Sequence, residues 1–92
     1  MIIPNSVKVG GIRYNVIVSD DWSDRDGADG ETFYDLEHGN CIYIFSGLSQ
    51  EAKEVTLIHE AMHCMNTVMN HEFLDSMAEQ MYQFLVDNDL LK

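Results

Sequence analysis

The sequence predicts an α+β domain, a small antiparallel sheet of about four strands followed by two helices. Three observations carry this reading. Four β-rich runs precede Ser46, turn-forming Gly, Asp and Asn residues separate them, and the apolar spacing changes to a helical period after Ser49. At 92 residues the chain has room for one domain with one modest core, spanning residues 1–92.

Val7 to Val9 and Ile12 to Val18 flank Gly10-Gly11, a pair that accepts the positive φ of a tight two-residue turn, so a hairpin is expected. The stretch SDDWSDRDGADG, residues 19 to 30, is dense in Asp and Gly and reads as a loop. Its DRDGADGE segment lacks the D-x-D-x-D-G spacing of a calcium loop and reads as an acidic turn. Residues 31 to 36 (ETFYDL) and 41 to 45 (CIYIF) predict a second hairpin with Gly39 at its tight position. Ser49 is a hydroxyl cap with Glu51 in the first turn behind it, and a helix is expected from Gln50 to about Met69. A turn near Asn70 leads into a second helix, about 71 to 87, ending in the polar Asp87-Asn88-Asp89.

Composition narrows the function. Hydrophobic content of 46% and nine aromatic residues suit a packed globule. The formal net charge is -11, a surface that repels phosphate backbones and anionic lipid heads, so neither nucleic acid nor membrane is an expected partner. The N-terminal stretch has no apolar run of signal-peptide length, and no segment approaches the ~20 apolar residues of a membrane span. Cys41 and Cys64 are too few for a disulfide framework. Both are read as reduced and buried, in a cytoplasmic protein.

On the first helix, Val55, Ile58, Met62, Met65 and Met69 form one apolar stripe and Leu57, Ala61, Cys64 and Val68 another beside it. The remaining narrow arc holds Thr56, His59, Glu60, His63 and Thr67. Residues four apart on a helix are neighbours, so the imidazoles of His59 and His63 can converge on one ion. Glu60, one step round the helix, stays off the ion yet can reach a water on it. HExxH thus supplies two ligands and a general base, and zinc is the expected metal. A lone helical histidine is more often a solvated or hydrogen-bonded residue, but this motif fixes three positions on a polar strip. A catalytic zinc takes three protein ligands, so a third must come from elsewhere. By projection of the last helix, His71 or Asp75 is favoured over Glu72, and Glu72 and Glu79 point toward solvent. The apolar face of that helix is Leu74, Met77, Ala78, Met81 and Leu85 with Phe73 and Phe84. Met62, Met65, Met77 and Met81 fall on inner stripes, where packing accounts for them.

The start IPNSVKVGGIRYNV, the strand pair, the helix TLIHEAMH and the closing LDSMAEQMYQFLVDN together resemble the small phage-type HExxH metallopeptidases, relatives of the minimal gluzincins and of the IrrE/ImmA-like peptidases. The resemblance covers most of the chain and implies a zincin-like minimal domain. In that family the third ligand is usually a glutamate early in the closing helix, with an acid four residues later supporting a ligating histidine. His71 stands where that glutamate is expected, Asp75 stands as the supporting acid, and Glu72 is one position out of register. The resemblance therefore implies zinc on His59, His63 and His71, with Asp75 behind them and Glu60 as base. It implies peptide-bond hydrolysis by a zinc-activated water, and a peptide or protein substrate lying along an edge strand, ETFYDL or CIYIF. Tyr82, Tyr34 and His38 are candidate hydrogen-bond donors to the transition state. The competing expectation is a non-catalytic zinc-binding or protein-interaction module on the same scaffold.

Overall fold

Gly10 and Gly11, at φ 56° and 82°, turn the chain between β1 (Ser6–Val9) and β2 (Ile12–Ser19), which pair antiparallel with Val9 opposite Ile12. The computed structural model describes residues 2–20, 29–65 and 70–90. Most of the acidic loop, and with it most of the DRDGADGE stretch, lies outside the described residues. A second hairpin joins β3 (Gly30–Asp35) to β4 (Gly39–Phe45), with Gly39 at φ 74° in the left-handed region that glycine occupies without strain. The strand order is β1-β2-β4-β3.

That order departs from the expected antiparallel sheet: β2 and β4 run parallel, Asn15 opposite Cys41 and Ser19 opposite Phe45, so the sheet is mixed. The cause is legible in composition. CIYIF is the most apolar run among the strands, and a central position shields both its faces. Cys41, Ile42 and Ile44 are fully buried. The more polar GETFYD takes the edge, where an unpaired strand side is tolerated.

Ser49 caps α1 (Gln50–Met65), its Oγ accepting from the Ala52 N–H at 3.1 Å. Residues 66–69, the expected end of this helix, lie outside the described residues. Asn70 caps α2 (His71–Asp87), its Oδ1 accepting from the Phe73 N–H at 3.2 Å. Leu57 of α1 closes on Ile42 and Ile44 to form the core, with Tyr14, Val16 and Cys64 packed around them. α1 touches β1, β3, β4 and α2, whereas α2 touches α1 alone among the described elements.

This one-sided seat corrects the expected apolar arc of α2. Leu74, Ala78 and Tyr82, spaced by four, are the buried residues, while Phe73 and Phe84 are 51% and 56% exposed. Met65 and Met81 are exposed too, so core packing does not account for them. On α1 the buried set is Glu54, Thr56, Leu57 and Glu60, which places part of the polar arc at the interface with β3 and α2.

Candidate metal centre

The three predicted histidine ligands meet at one end of the α1–α2 seam. The nitrogens of His59, His63 and His71 that face one another all lie within 4.8 Å. His59 and His63, one turn apart, bring their Nε2 atoms to 3.0 Å. His71, in the first turn of α2, holds its ring tilted at 4.5 Å from that of His63 and 5.6 Å from that of His59, centroid to centroid. Asn70 fixes where that turn begins, and thereby where His71 projects. Glu72 is exposed and belongs to neither the cluster nor the cavities around it.

Asp75, one turn after His71, reaches across the seam to His59, with Oδ1 2.9 Å from Nδ1. A carboxylate there holds the imidazole proton on Nδ1 and leaves the Nε2 lone pair turned into the cluster, the arrangement that orients a histidine for metal ligation. His63 is held below the ordinary histidine pKa, chiefly by burial, with His59 and His71 adding repulsion and Glu60 and Asp75 opposing it. Its neutral form, the one with a lone pair to donate, is therefore favoured.

Tetrahedral zinc with nitrogens at ~2.0 to 2.1 Å requires donors about 3.3 Å apart. The pair at 3.0 Å and the third donor within 4.8 Å fit that requirement after small ring rotations, and an all-imidazole set suits a borderline ion. The residues present thus fit a metal ion.

Glu60 is only 6% exposed and is held from the opposite side. Thr32, on β3, donates its hydroxyl to Oε1 at 2.7 Å, while Oε2 stands 3.9 Å from His59 Nε2, beside the cluster. Behind Thr32 lies Cys64, hydrogen-bonded to both Thr32 and Tyr14; burial pushes its thiol pKa up, so it is a neutral neighbour and not a thiolate ligand. Cys41 and Cys64 are both free thiols, as expected; Cys41 is buried, but Cys64 is only half-buried. β3 approaches this close because of Gly30: a Cβ there would stand 2.5 Å from Thr56 Cγ2 and 2.8 Å from the Tyr43 carbonyl.

Two connected cavities flank the cluster. One, about 530 Å³, is bordered by His59, Glu60, His71 and Asp75 together with Asp29, Thr56 and Glu79. The other, about 320 Å³, lies toward Thr32 and His63. Glu79 is exposed as expected and also borders the first cavity, two turns along α2 from His71 on the same face. The three candidate donors stand apart from both. Tyr82 is buried against Glu54, which accepts its hydroxyl; Tyr34 is exposed; and His38 sits in the β3–β4 turn, at the opposite end of β3 from Gly30.

Thr32, Gly30 and Asp29 had no part in the sequence reading of the site, and Glu79 entered it only as a residue pointing to solvent. The parity of β3 carries a signal for two of them, since Gly30 and Thr32 share the strand face that meets α1. Comparison of the chain with protein-family models, curated proteins and solved structures found no match.

Proposed function

We propose that this chain is a zinc-dependent peptidase. The observation that carries the reading is the convergence of His59, His63 and His71 on one point beside a buried glutamate that neighbouring groups orient. The HExxH resemblance supports the same chemistry. Zinc bound by the three imidazoles supplies a Lewis acid that polarises a carbonyl and acidifies a water.

The remaining steps belong to side chains. Asp75 keeps His59 in the ligating tautomer. Thr32 engages Oε1 of Glu60, so Oε2 is the oxygen that faces the cluster and accepts a proton from the attacking water. As that water's oxygen bonds to the scissile carbonyl carbon and the C–N bond breaks, Glu60 returns the proton to the departing amine. Substrate as an added strand is supported by β3, ETFYDL without its last residue, which is the edge strand nearest the cluster; CIYIF is interior.

Two measurements test this. Purified protein should carry about one zinc per chain, and His71→Ala should lose most of it, whereas Glu72→Ala should not. Wild type should cleave an extended peptide, and Glu60→Gln should lower that rate by about a hundredfold or more, since an amide cannot take the proton. Equal rates in the two exclude Glu60 as base and leave a zinc-binding module.

A further inference from the structure

The larger cavity continues past the histidines along α1. A third cavity, about 350 Å³, shares Asp29, Val55, Thr56 and Glu79 with it and extends to Ser49, Glu51 and Gln83. The two make one trough between α1 and α2 that opens at the cluster. Its far end is closed by Gln83, whose amide donates to Glu51 Oε1 at 3.4 Å.

The lining combines the apolar Val55 and Ala52 of α1 with three carboxylates, Asp29 before β3, Glu51 on α1 and Glu79 on α2. Among the described residues, no lysine or arginine borders either cavity. A second observation points to a ligand. Thr56 is 8% exposed and borders both cavities, yet its hydroxyl has no hydrogen-bond partner among the described residues. A polar group so buried is normally satisfied, so one without a protein partner marks where a donor from outside can bind. A lining that combines apolar side chains with a hydroxyl and carboxylates matches a long aliphatic stem that ends in a cation.

We propose that the trough is a specificity subsite for an arginine or lysine side chain of the substrate. Resting on the peptidase reading, it makes the substrate class a basic peptide with its cation one or a few residues from the scissile bond. Val55 and Ala52 take the methylenes, and Glu79 and Asp29 take the charge.

Binding to the zinc-loaded Glu60→Gln chain tests the subsite apart from catalysis. The probes are fluorescent extended peptides identical except for one residue: arginine, norleucine or glutamate. The arginine peptide should bind about tenfold or more tighter than the norleucine peptide, and the glutamate peptide weakest. Adding Glu79→Gln or Asp29→Asn should shrink that gap severalfold. Glu37→Gln, which removes the same charge at the far end of β3, should leave it intact. Glu79→Arg should move the preference toward the glutamate peptide. A gap that Glu37→Gln shrinks as much as Glu79→Gln does would assign the preference to the overall charge and overturn the subsite. Equal binding of the three peptides, or binding of none, overturns it too. If the preference holds but wild type cleaves none of the peptides, the subsite stands and the peptidase reading falls.

Discussion

Thr32 shows how one hydroxyl across the fold can orient the proposed base, Glu60. Its hydrogen bond occupies one carboxylate oxygen of Glu60 and fixes the rotamer of the other. Thr32→Val keeps shape and removes the donor, and a hydrogen bond to a charged group is worth about 1.5 to 3 kcal/mol. Peptide turnover in this variant should fall roughly tenfold or more in kcat with KM little changed, while Thr32→Ser should restore most of it. Equal kcat in Thr32→Val and wild type would remove Thr32 from the mechanism. His63 carries a pH signature. Its folded pKa is depressed below the 6.5 of a free imidazole, so its contribution to stability is present above that value and is lost as pH falls through the folded pKa. Melting of the metal-free protein should therefore shift down between pH 7 and pH 5, and His63→Asn should shift less. At this scale the sequence disclosed what lies within one helical turn: His59, Glu60 and His63 share a face because they are covalent near-neighbours. Thr32, Glu79 and Asp29 come from other elements, and only the docking of β3 and α2 on α1 brings them in.

At the scale of elements, β3 matters through its closest approach. Gly30 lets the strand sit against Thr56 and Glu60, and any side chain there meets the Tyr43 carbonyl, which cannot swing aside. Gly30→Ala should cost about 1 to 3 kcal/mol of stability, as overpacking does, and should push Thr32 out of reach of Glu60. Chemical denaturation together with zinc affinity checks this: a loss of stability with metal affinity retained is the expected pattern, because none of the three histidines lies on β3. Element boundaries were legible where a local signal set them. Ser49 begins α1, and α2 covers residues 71–87 as its polar flanks predict. The buried face of α2 was not legible. Periodicity marked Phe73, Met81 and Phe84 as inward, but a helix with a single neighbour among the described elements buries only the narrow line of Leu74, Ala78 and Tyr82.

Over the whole molecule, strand order was the feature that local patterns could not supply. Two hairpins read in sequence suggest antiparallel neighbours throughout. The competition for the central position is a property of all four strands at once, and the most apolar one, β4, took it. Charge acts at this scale as well. At -11, the surface favours cationic partners in general, which is why a matched control far from the trough is needed to separate a local preference from the global field. No helix among the described residues is long and apolar enough to cross a membrane.

Among the described elements α2 touches α1 alone, which gives the histidine cluster a mechanical role besides its chemical one. Two of the three imidazoles ride on the helix that is fixed to the sheet, and the third rides on the helix that is not. An ion gripping all three would act as a clasp on the loosely seated segment. Stripping it with a chelator should speed amide-hydrogen exchange in the first turns of α2 well before the sheet responds.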